Sequence, residues 1–388
     1  MEYPVYLDNA ATTAVDPAVV EAMLPYFLSA YGNPATLYGV GMMAREAVDH
    51  AREAVADMIN ASPDEIVFTS GGTEADNAAI KGVAAAYADK GKHLITSAIE
   101  HHAVLEPMET LAHSGYELDI LPVDSEGRIS LETLKSLLRP DTLLVSIMHA
   151  NNEIGTIQPI GEIGSLCREN GALFHTDAVQ TFGKIPLNVR EQKIDLMSVS
   201  AHKLHGPKGI GFLYVRRGTK LHRFMEGGGQ ERGYRSGTLN VPGIVGLGKA
   251  TELAKERMES EAKRLTTLRD VFIAKLMNTV SGVSVNGSRA HRLPNNISVC
   301  IEGIQGETLL LALDASRICA SAGSACSTGS MEPSHVLKAL GVSRDLARGA
   351  VRITLGRETT LESLDYTLDA LERSVQGLRE LSGAGTNY

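Results

Sequence analysis

The chain is poor in cysteine, in positive charge and in long apolar segments. Its four cysteines among 388 residues are too few for a disulfide framework, and no two of them form a C-x-x-C pair. A tetrahedral zinc site therefore has little support, and a reduced, cytoplasmic setting is expected. No apolar run is long enough to cross a bilayer, and the N-terminal MEYPVYLDNAATTAVD lacks the basic and apolar regions of a signal peptide. We therefore expect no membrane association.

The charge balance is acidic, with 46 Asp and Glu against 37 Lys and Arg and a net charge of −9 at pH 7. Such a chain repels phosphate backbones, so general nucleic-acid binding is not expected. The hydrophobic content of 43% is typical of a globular protein. The length exceeds one ordinary core and fits a large domain plus a smaller one.

Short apolar strands alternate with helical segments from about residue 64 onward, which predicts an α/β fold with a mostly parallel sheet. The candidate strands are 65–70, 93–97, 143–148, 173–177, 196–200 and 210–215. Because the link between the last two is too short for a crossover, we expect that pair to be antiparallel and the sheet to be mixed. A long charged helix over 249–278 leads into a smaller α/β region. The predicted large domain is 16–255, and the small domain combines 1–15 with 256–388.

Nearly every predicted strand ends in a polar cluster. The clusters SGGTEADN, AIEHHA, HANNE, DAVQ and AHK follow five successive strands. In open α/β sheets, ligands bind beyond the carboxyl ends of the strands. We therefore expect a functional site at this edge of the sheet.

The segment TSGGTEADN at 69–77 is a candidate phosphate site. Gly71 and Gly72 allow close backbone approach, and the following helix N-terminus offers free N–H groups to an anion. Thr73 and Asp76 have the spacing of a capping box, so an ordinary capped α/β turn is an equally valid interpretation of this segment alone.

Lys203 follows a strand end in SVSAHKLHGPKG and is a candidate for an imine with a carbonyl cofactor. The alternative is an exposed loop lysine. Asp177 closes a neighbouring strand, where a buried carboxylate could pair with a pyridinium nitrogen. Gln180 could contact the phenolic oxygen of the same ring. Lys208 is a weaker candidate, because its Pro and Gly neighbours indicate a turn.

With these residues in place, the chain resembles the cysteine desulfurases of the NifS/IscS type, within the fold type I pyridoxal-phosphate (PLP) enzymes. The resemblance covers essentially the whole chain and is specific only through its motifs together. They are, in order, YLDNAATT, YGNPAT, TSGGTEADN, EHHAVL, NNEIGTIQP, HTDAVQ, SAHKLHGPKG, RSGTLN, SAGSACSTGSMEPSHVL and VRITLGR. The resemblance implies a seven-stranded mixed sheet with helices on both faces.

The resemblance also implies a role for each matching residue. Lys203 would hold PLP as an imine and remove the substrate α proton, with His101 over the ring assisting proton transfer. The other predicted cofactor contacts are Asp177 at the ring nitrogen, Gln180 and Asn152 at the phenolic oxygen, and Gly72, Thr73, Ser200 and His202 at the phosphate. Thr238 would reach the phosphate of a neighbouring subunit, which implies a homodimer. Arg352, with Asn152 beside it, would bind the substrate carboxylate, and Arg357 is a rival for that role.

Cys326 is the predicted sulfur acceptor. It lies among Ser, Gly, Thr and Ala in a loop at about 320–335, whereas free cysteines are usually buried as Cys167, Cys300 and Cys319 are expected to be. Its thiolate would attack the substrate sulfur and carry a persulfide outward. We also consider it a possible transient ligand of an iron–sulfur cluster on a scaffold protein.

The predicted function is conversion of L-cysteine to L-alanine with sulfur transfer to an acceptor protein, as in iron–sulfur cluster assembly. Selenocysteine lyase and an aminotransferase are enzymatic alternatives. A sulfur-carrier platform without PLP is the non-enzymatic alternative, but it leaves Lys203, Asp177 and His101 unexplained.

Overall fold

The structure is a computed structural model that describes residues 4–322 and 334–384. Its strands are β1 (Val5–Tyr6), β2 (Ile66–Thr69), β3 (His93–Ser97), β4 (Glu117–Leu121), β5 (Thr142–Ser146), β6 (Leu173–Asp177), β7 (Leu196–Ser200), β8 (Gly211–Val215), β9 (Gly229–Gln230), β10 (Arg235–Ser236), β11 (Val283–Val285), β12 (Asn296–Ile301), β13 (Ile318–Cys319) and β14 (Ala350–Thr354). Its α-helices are α1 (Pro17–Met23), α2 (Pro25–Leu28), α3 (Gly39–Met58), α4 (Gly72–Ala86), α5 (His102–His113), α6 (Leu131–Leu137), α7 (Ile160–Asn170), α8 (Val241–Thr279), α9 (Gly306–Ala315), α10 (His335–Ala339), α11 (Arg344–Ala347) and α12 (Leu361–Ala384).

The main sheet has seven strands in the order β2-β8-β7-β6-β5-β3-β4. Strand β8 is antiparallel to both of its neighbours, and the remaining pairs are parallel. The short link between β7 and β8 forces this reversal, because a parallel neighbour would need a longer crossover. The predicted mixed, mostly parallel sheet is confirmed.

Strand β4 escaped the sequence prediction. It lies at the edge of the sheet and pairs only with β3. Its residues Glu117 and Ile120 are exposed and Leu121 is buried. An edge strand with one covered face lacks the continuous apolar run that marked the central strands.

The side chains of the sheet alternate between two helical layers, as strand geometry requires. On β2, Ile66 and Phe68 join the core formed with α1, α3, α7 and α8, whereas Val67 joins the core formed with α4 and α5. Burial of each such side chain contributes about 1.5–3 kcal/mol. Two apolar layers therefore enclose the sheet and fix the position of its strand ends.

A second sheet, β11-β12-β14, is antiparallel and has its own core with α9, α12 and the end of α8. The N-terminal strand β1 pairs with β13, and Leu7 lies in this second core. Helix α8 enters the first core with Ile244 and Leu247 and the second with Phe272 and Leu276. The division into domains near residue 255 stays a prediction.

Two absences hold for the described ranges. None of their helices combines the length and the apolarity needed to cross a membrane. Within the same ranges, no group of three or more His, Cys, Asp or Glu side chains is arranged to hold a metal ion.

Candidate active site

A cavity of about 320 Å³ opens where β3, β5, β6 and β7 end. Most of the residues predicted for the site line it: Gly72, Thr73, His101, Asn152, Asp177, Gln180, Ser200, His202, Lys203 and Arg352. Thr238 is not among the residues that line it, and Cys326 lies outside the described residues. The polar strand ends thus meet in one place, as parallel strand topology requires.

Lys203 ends the short 3₁₀ turn that follows β7. Its Nζ donates to the carbonyl oxygens of Ala10 at 2.7 Å and Ala11 at 2.6 Å, and its side chain lines the cavity. The N-terminal segment therefore crosses the site and holds the amine inside. This placement differs from that of an exposed loop lysine.

Asp177 is the last residue of β6 and is buried. Its Oδ1 accepts a hydrogen bond from the Val179 N–H at 2.8 Å. Burial raises the pKa of Asp177, against the lowering effects of that hydrogen bond and of the charges of His101 and Lys203. A cationic group placed against this carboxylate would stabilise its ionised form.

Asp76 does not form the predicted capping box. Helix α4 has Gly71 as its N-cap, which has no side chain to cap with, and no other side chain caps the helix. Asp76 lies further along the helix and is buried, with its Oδ1 3.6 Å from His175 Nε2. Burial and the charge of Asp177 raise the pKa of Asp76 well above its usual range. The first turn of α4 therefore keeps its N–H groups free of side-chain caps.

The start of α4 has room for an anion. Gly71 has φ of +155°, which side chains rarely adopt, and a Cβ on Gly72 would lie 2.7 Å from Val179 Cγ2. Ser200 lies beside this turn, within 3.6 Å of the position of a Gly71 Cβ. His202 Nδ1 is 3.1 Å from Thr12 Oγ1, and burial lowers the pKa of His202 to about 4. The cradle thus consists of neutral donors and a helix N-terminus.

His101 is the N-cap of α5, and its Nδ1 accepts the Ala103 N–H at 3.1 Å. The proton of the neutral ring is therefore on Nε2. Burial lowers the pKa of His101, and the charge of Lys203 lowers it further while that of Asp177 opposes this. His102 lies on the outer side, where its ring centroid is 5.0 Å from that of His335.

Arg352, on β14, forms the opposite wall of the cavity and is 2% exposed. Its Nη2 contacts Asp8 Oδ1 at 2.8 Å, and its Nη1 donates to the Asn152 carbonyl at 3.1 Å. The rival Arg357 instead pairs with Asp16 and lines a different cavity. Asp8 was not predicted as a site residue, although it stands in the motif YLDNAATT.

Both ends of the segment that contains Cys326 attach to this site. On the entry side, the backbones of Ser321 and Arg352 exchange hydrogen bonds of 3.1 and 2.6 Å. On the return side, Ser334 Oγ donates to Glu153 Oε2 at 2.6 Å, and His335 Nε2 donates to the Glu100 carbonyl at 2.9 Å. The described chain thus leaves and rejoins the fold at the cavity wall.

Comparison with known proteins identifies the family. The model of the aminotransferase class-V family matches residues 5–367. The chain belongs to this family. A curated cysteine desulfurase IscS from Dictyoglomus turgidum is 54% identical over 98% of this chain and 97% of its own length. A cysteine desulfurase IscS from Methanosarcina thermophila is 52% identical, covering 97% of this chain and 93% of that protein. A solved structure of a NifS-like protein has 43% identity and a TM-score of 0.91, covering 97% of this chain and all of the other.

Class-V aminotransferases are PLP-dependent, and the cavity fits this cofactor. The uncapped start of α4, with Gly72 beside Ser200 and His202, suits a phosphate group. The buried Asp177 suits a protonated ring nitrogen, which would supply the cation that the carboxylate lacks. Lys203 lies in the same cavity, where its amine could join the cofactor aldehyde.

Sequence reasoning missed one further residue that lines the cavity, Glu100. It lies directly before His101 and is fully buried, with both carboxylate oxygens 3.0 Å from the Met148 N–H and one 2.5 Å from Ser97 Oγ. Burial raises its pKa to about 8. Its position at a strand end, in AIEHHA, was the available signal, but the two adjacent histidines attracted the assignment.

Proposed function

We propose that this chain is a PLP-dependent cysteine desulfurase, which converts L-cysteine to L-alanine and passes the sulfur to the thiol of Cys326. The observation that carries the proposal is the convergence of Lys203, Asp177 and Arg352 on one cavity. An amine, a buried acid and a buried guanidinium are what an amino-acid substrate and a pyridine cofactor require together.

Bound PLP would supply an electron sink for the charge that develops when the substrate loses its α proton. Lys203 is the base for that proton. The carbonyl oxygens of Ala10 and Ala11 hold its amine at the cavity wall. Asp177 would keep the nitrogen of bound PLP protonated, because a buried carboxylate stabilises a cation beside it.

Arg352 binds the substrate carboxylate. Its guanidinium is planar and presents a fork of donors, and Asp8 and the Asn152 carbonyl fix it in place. Asn152 lines the same wall, so its side chain is available to the substrate or to the cofactor oxygen. The carboxylate therefore sets which side of the substrate faces Lys203.

Sulfur transfer needs no external oxidant. The Cys326 thiolate forms an S–S bond with the substrate sulfur, the substrate C–S bond breaks, and its electron pair stays with carbon, which is then protonated to give alanine. His101 holds a proton at Nε2 in its neutral form and can deliver it to substrate atoms. The attachment of residues 321 and 334 to the cavity wall supports this role for the intervening Cys326.

A homodimer with shared sites accords with an exposed apolar surface. Large apolar side chains are concentrated between residues 24 and 43, namely Leu24, Phe27, Leu28, Tyr31, Leu37, Tyr38, Met42 and Met43, with Leu37 84% exposed. An apolar surface of this size on one chain favours coverage by a partner. We infer that a second copy covers it and that Thr238 of each copy then reaches the phosphate of the other.

The acceptor of the sulfur is proposed to be an iron–sulfur scaffold or another acceptor protein, and transient binding of a cluster by Cys326 is a further proposal. We propose a cytoplasmic location, because the free Cys167, Cys300 and Cys319 suit a reducing compartment. Selenocysteine lyase remains the nearest alternative, because the same groups would act on selenium.

The decisive experiment compares wild type with Cys326→Ala after incubation with L-cysteine. Wild type should form alanine and a protein persulfide, whereas Cys326→Ala should keep the visible cofactor absorbance and lose both products. Cys319→Ala, at a partly exposed position on β13, is the matched control and should retain activity within about twofold, because Cys319 is not among the residues that line the cavity. Persulfide formation by Cys326→Ala would reject the assignment, and pyridoxamine phosphate formed with a keto acid would favour an aminotransferase.

A further inference from the structure

Lys184 lies behind Lys203, on the far side from the main cavity. A second cavity of about 70 Å³ opens there between α8 and the strand ends, and both lysines line it. Lys184 therefore shares a wall with the lysine that we propose to hold the cofactor. No motif in the sequence analysis singled it out, and the mechanism above does not use it.

A chain of hydrogen bonds joins the two lysines. Lys184 Nζ donates to Gln180 Oε1 at 3.4 Å, and Gln180 Nε2 donates to the Ala10 carbonyl at 3.0 Å. Lys203 Nζ donates to the same carbonyl at 2.7 Å. Since an ammonium group only donates, the amide of Gln180 must turn its oxygen toward Lys184 and its NH₂ group toward Ala10. The second N–H of that group is then available to the main cavity, which Gln180 lines.

Lys184 is also a cation without a carboxylate partner. Among the described residues, no Asp or Glu oxygen lies within 4.0 Å of its Nζ, by contrast with most partly buried cations of this protein. Burial, together with the charges of Lys203 and Arg352, lowers the pKa of Lys184 to about 7. A cation without a counter-ion costs stability, so Lys184 does not contribute to the fold through an ion pair.

The other charged side chains around this cavity are mostly engaged in ion pairs, although two arginines share one aspartate. Arg257 and Arg357 both pair with Asp16. Glu261 pairs with Arg264. Burial lowers the pKa of His205 to about 4, so this side chain is neutral above that range. The field at Lys203 from this side is therefore positive, and Lys184 is the cation joined to Lys203 through Gln180 and the Ala10 carbonyl.

We propose that Lys184 is a positioning residue that sets the protonation of the nitrogen joining Lys203 to the cofactor. It acts in two ways. Its hydrogen bond orients the Gln180 amide so that one N–H would face the phenolic oxygen of the cofactor. That oxygen would then bind less strongly to a proton on the linking nitrogen. Its positive charge disfavours a second cation nearby. Both effects favour the unprotonated form of the nitrogen that joins Lys203 to the cofactor. The inference rests on the proposed function.

The test is a pH titration of the visible absorbance of the purified holoenzyme, which changes when the linking nitrogen gains or loses its proton. Lys184→Met should raise the midpoint by about one pH unit relative to wild type, the order expected for loss of a nearby like charge. Lys184→Arg, which keeps the charge and the donor, should stay close to wild type. Lys255→Met, at an exposed lysine paired with Asp57, is the matched surface control.

The outcomes separate the inference from the proposed function. An unchanged midpoint in Lys184→Met, with the cofactor bound, would overturn the role of Lys184 and leave the desulfurase proposal intact. Absence of any bound cofactor in wild type would instead overturn the proposed function. If Lys184→Met does not fold, Lys184→Gln provides the same measurement, because glutamine also lacks the charge. The thermal midpoint of the folded variant should not fall, since removing a partly buried cation that has no counter-ion is not destabilising.

Discussion

The two walls of the main cavity handle charge in opposite ways. At the end of the seven-stranded sheet, Asp76, Glu100 and Asp177 are buried, and burial raises the pKa of each. On the three-stranded sheet, Arg352 is equally buried but has Asp8 at 2.8 Å. The first wall thus accumulates acids that a cation would stabilise, and the second holds a cation already balanced. The difference supports our proposal that the cofactor nitrogen lies at the first wall and the substrate carboxylate at the second.

The largest loss of activity should come from a substitution in the first wall. Lys203→Ala removes the proposed base, so turnover of L-cysteine should fall by about 100-fold to 10,000-fold, the range for loss of a proton-transfer group. The absorbance of the cofactor joined to the protein should disappear with it. Alanine formation and the visible spectrum are the two measurements. Lys208→Ala, in the same loop, is the control, and an equal loss there would contradict the assignment to Lys203.

A smaller effect is expected on the second wall. Arg352→Lys keeps one charge but loses the planar fork, so KM for L-cysteine should rise about 10- to 100-fold, in line with about 1.5–3 kcal/mol for hydrogen bonds to charged groups. The absorbance of bound cofactor should not change. Steady-state kinetics measure this, with Arg357→Lys as control. A change in cofactor binding without a change in KM would contradict the role of Arg352 in binding the substrate carboxylate.

The third prediction concerns stability and the sign of its pH dependence. Glu100 has a folded-state pKa of about 8, above its ordinary 4.5, so it stabilises the fold when protonated and loses that contribution as pH rises through 8. Relative to Glu100→Gln, the wild-type free energy of unfolding should fall by about 1.4 kcal/mol per pH unit between pH 5.5 and 7.5. Urea unfolding at several pH values measures this slope.

The control for this slope is Glu106→Gln, whose side chain is 73% exposed on the adjacent helix. Its unfolding curve should run parallel to that of wild type across the same pH range. Parallel curves for Glu100→Gln as well would mean that the Glu100 carboxyl ionises in the folded protein as it does in the unfolded chain, which would contradict the raised pKa.

The sequence predicted the parts of the site that depend on strand ends. Lys203, Asp177 and His101 each follow a strand, and parallel topology brings such positions together. It did not predict Asp8, Glu100 or Lys184, because their roles depend on contacts across segments far apart in the chain. Nothing in the spacing around Asp8 indicates its pairing with Arg352, 344 residues away.

Two local predictions show the same limit. The capping box at Thr73 and Asp76 was wrong because tertiary packing draws Asp76 into the sheet beside His175. Strand β4 was missed because half of its surface faces solvent. The roles of Thr238 and Cys326 stay predictions, since one involves a second subunit and the other lies outside the described residues.

Helix α8 sets the distance between the two walls of the main cavity. Its 39 residues span about 58 Å at 1.5 Å per residue, and its two halves are embedded in different apolar cores. Arg257, Arg264 and Arg269 fasten it along its length to Asp16, to the Thr359 carbonyl and to the Leu293 carbonyl. The helix therefore fixes the distance and the rotation between the two cores. A single residue inserted in its middle would rotate one core by about 100° against the other. Arg352, which we propose binds the substrate carboxylate, would then move out of reach of Lys203.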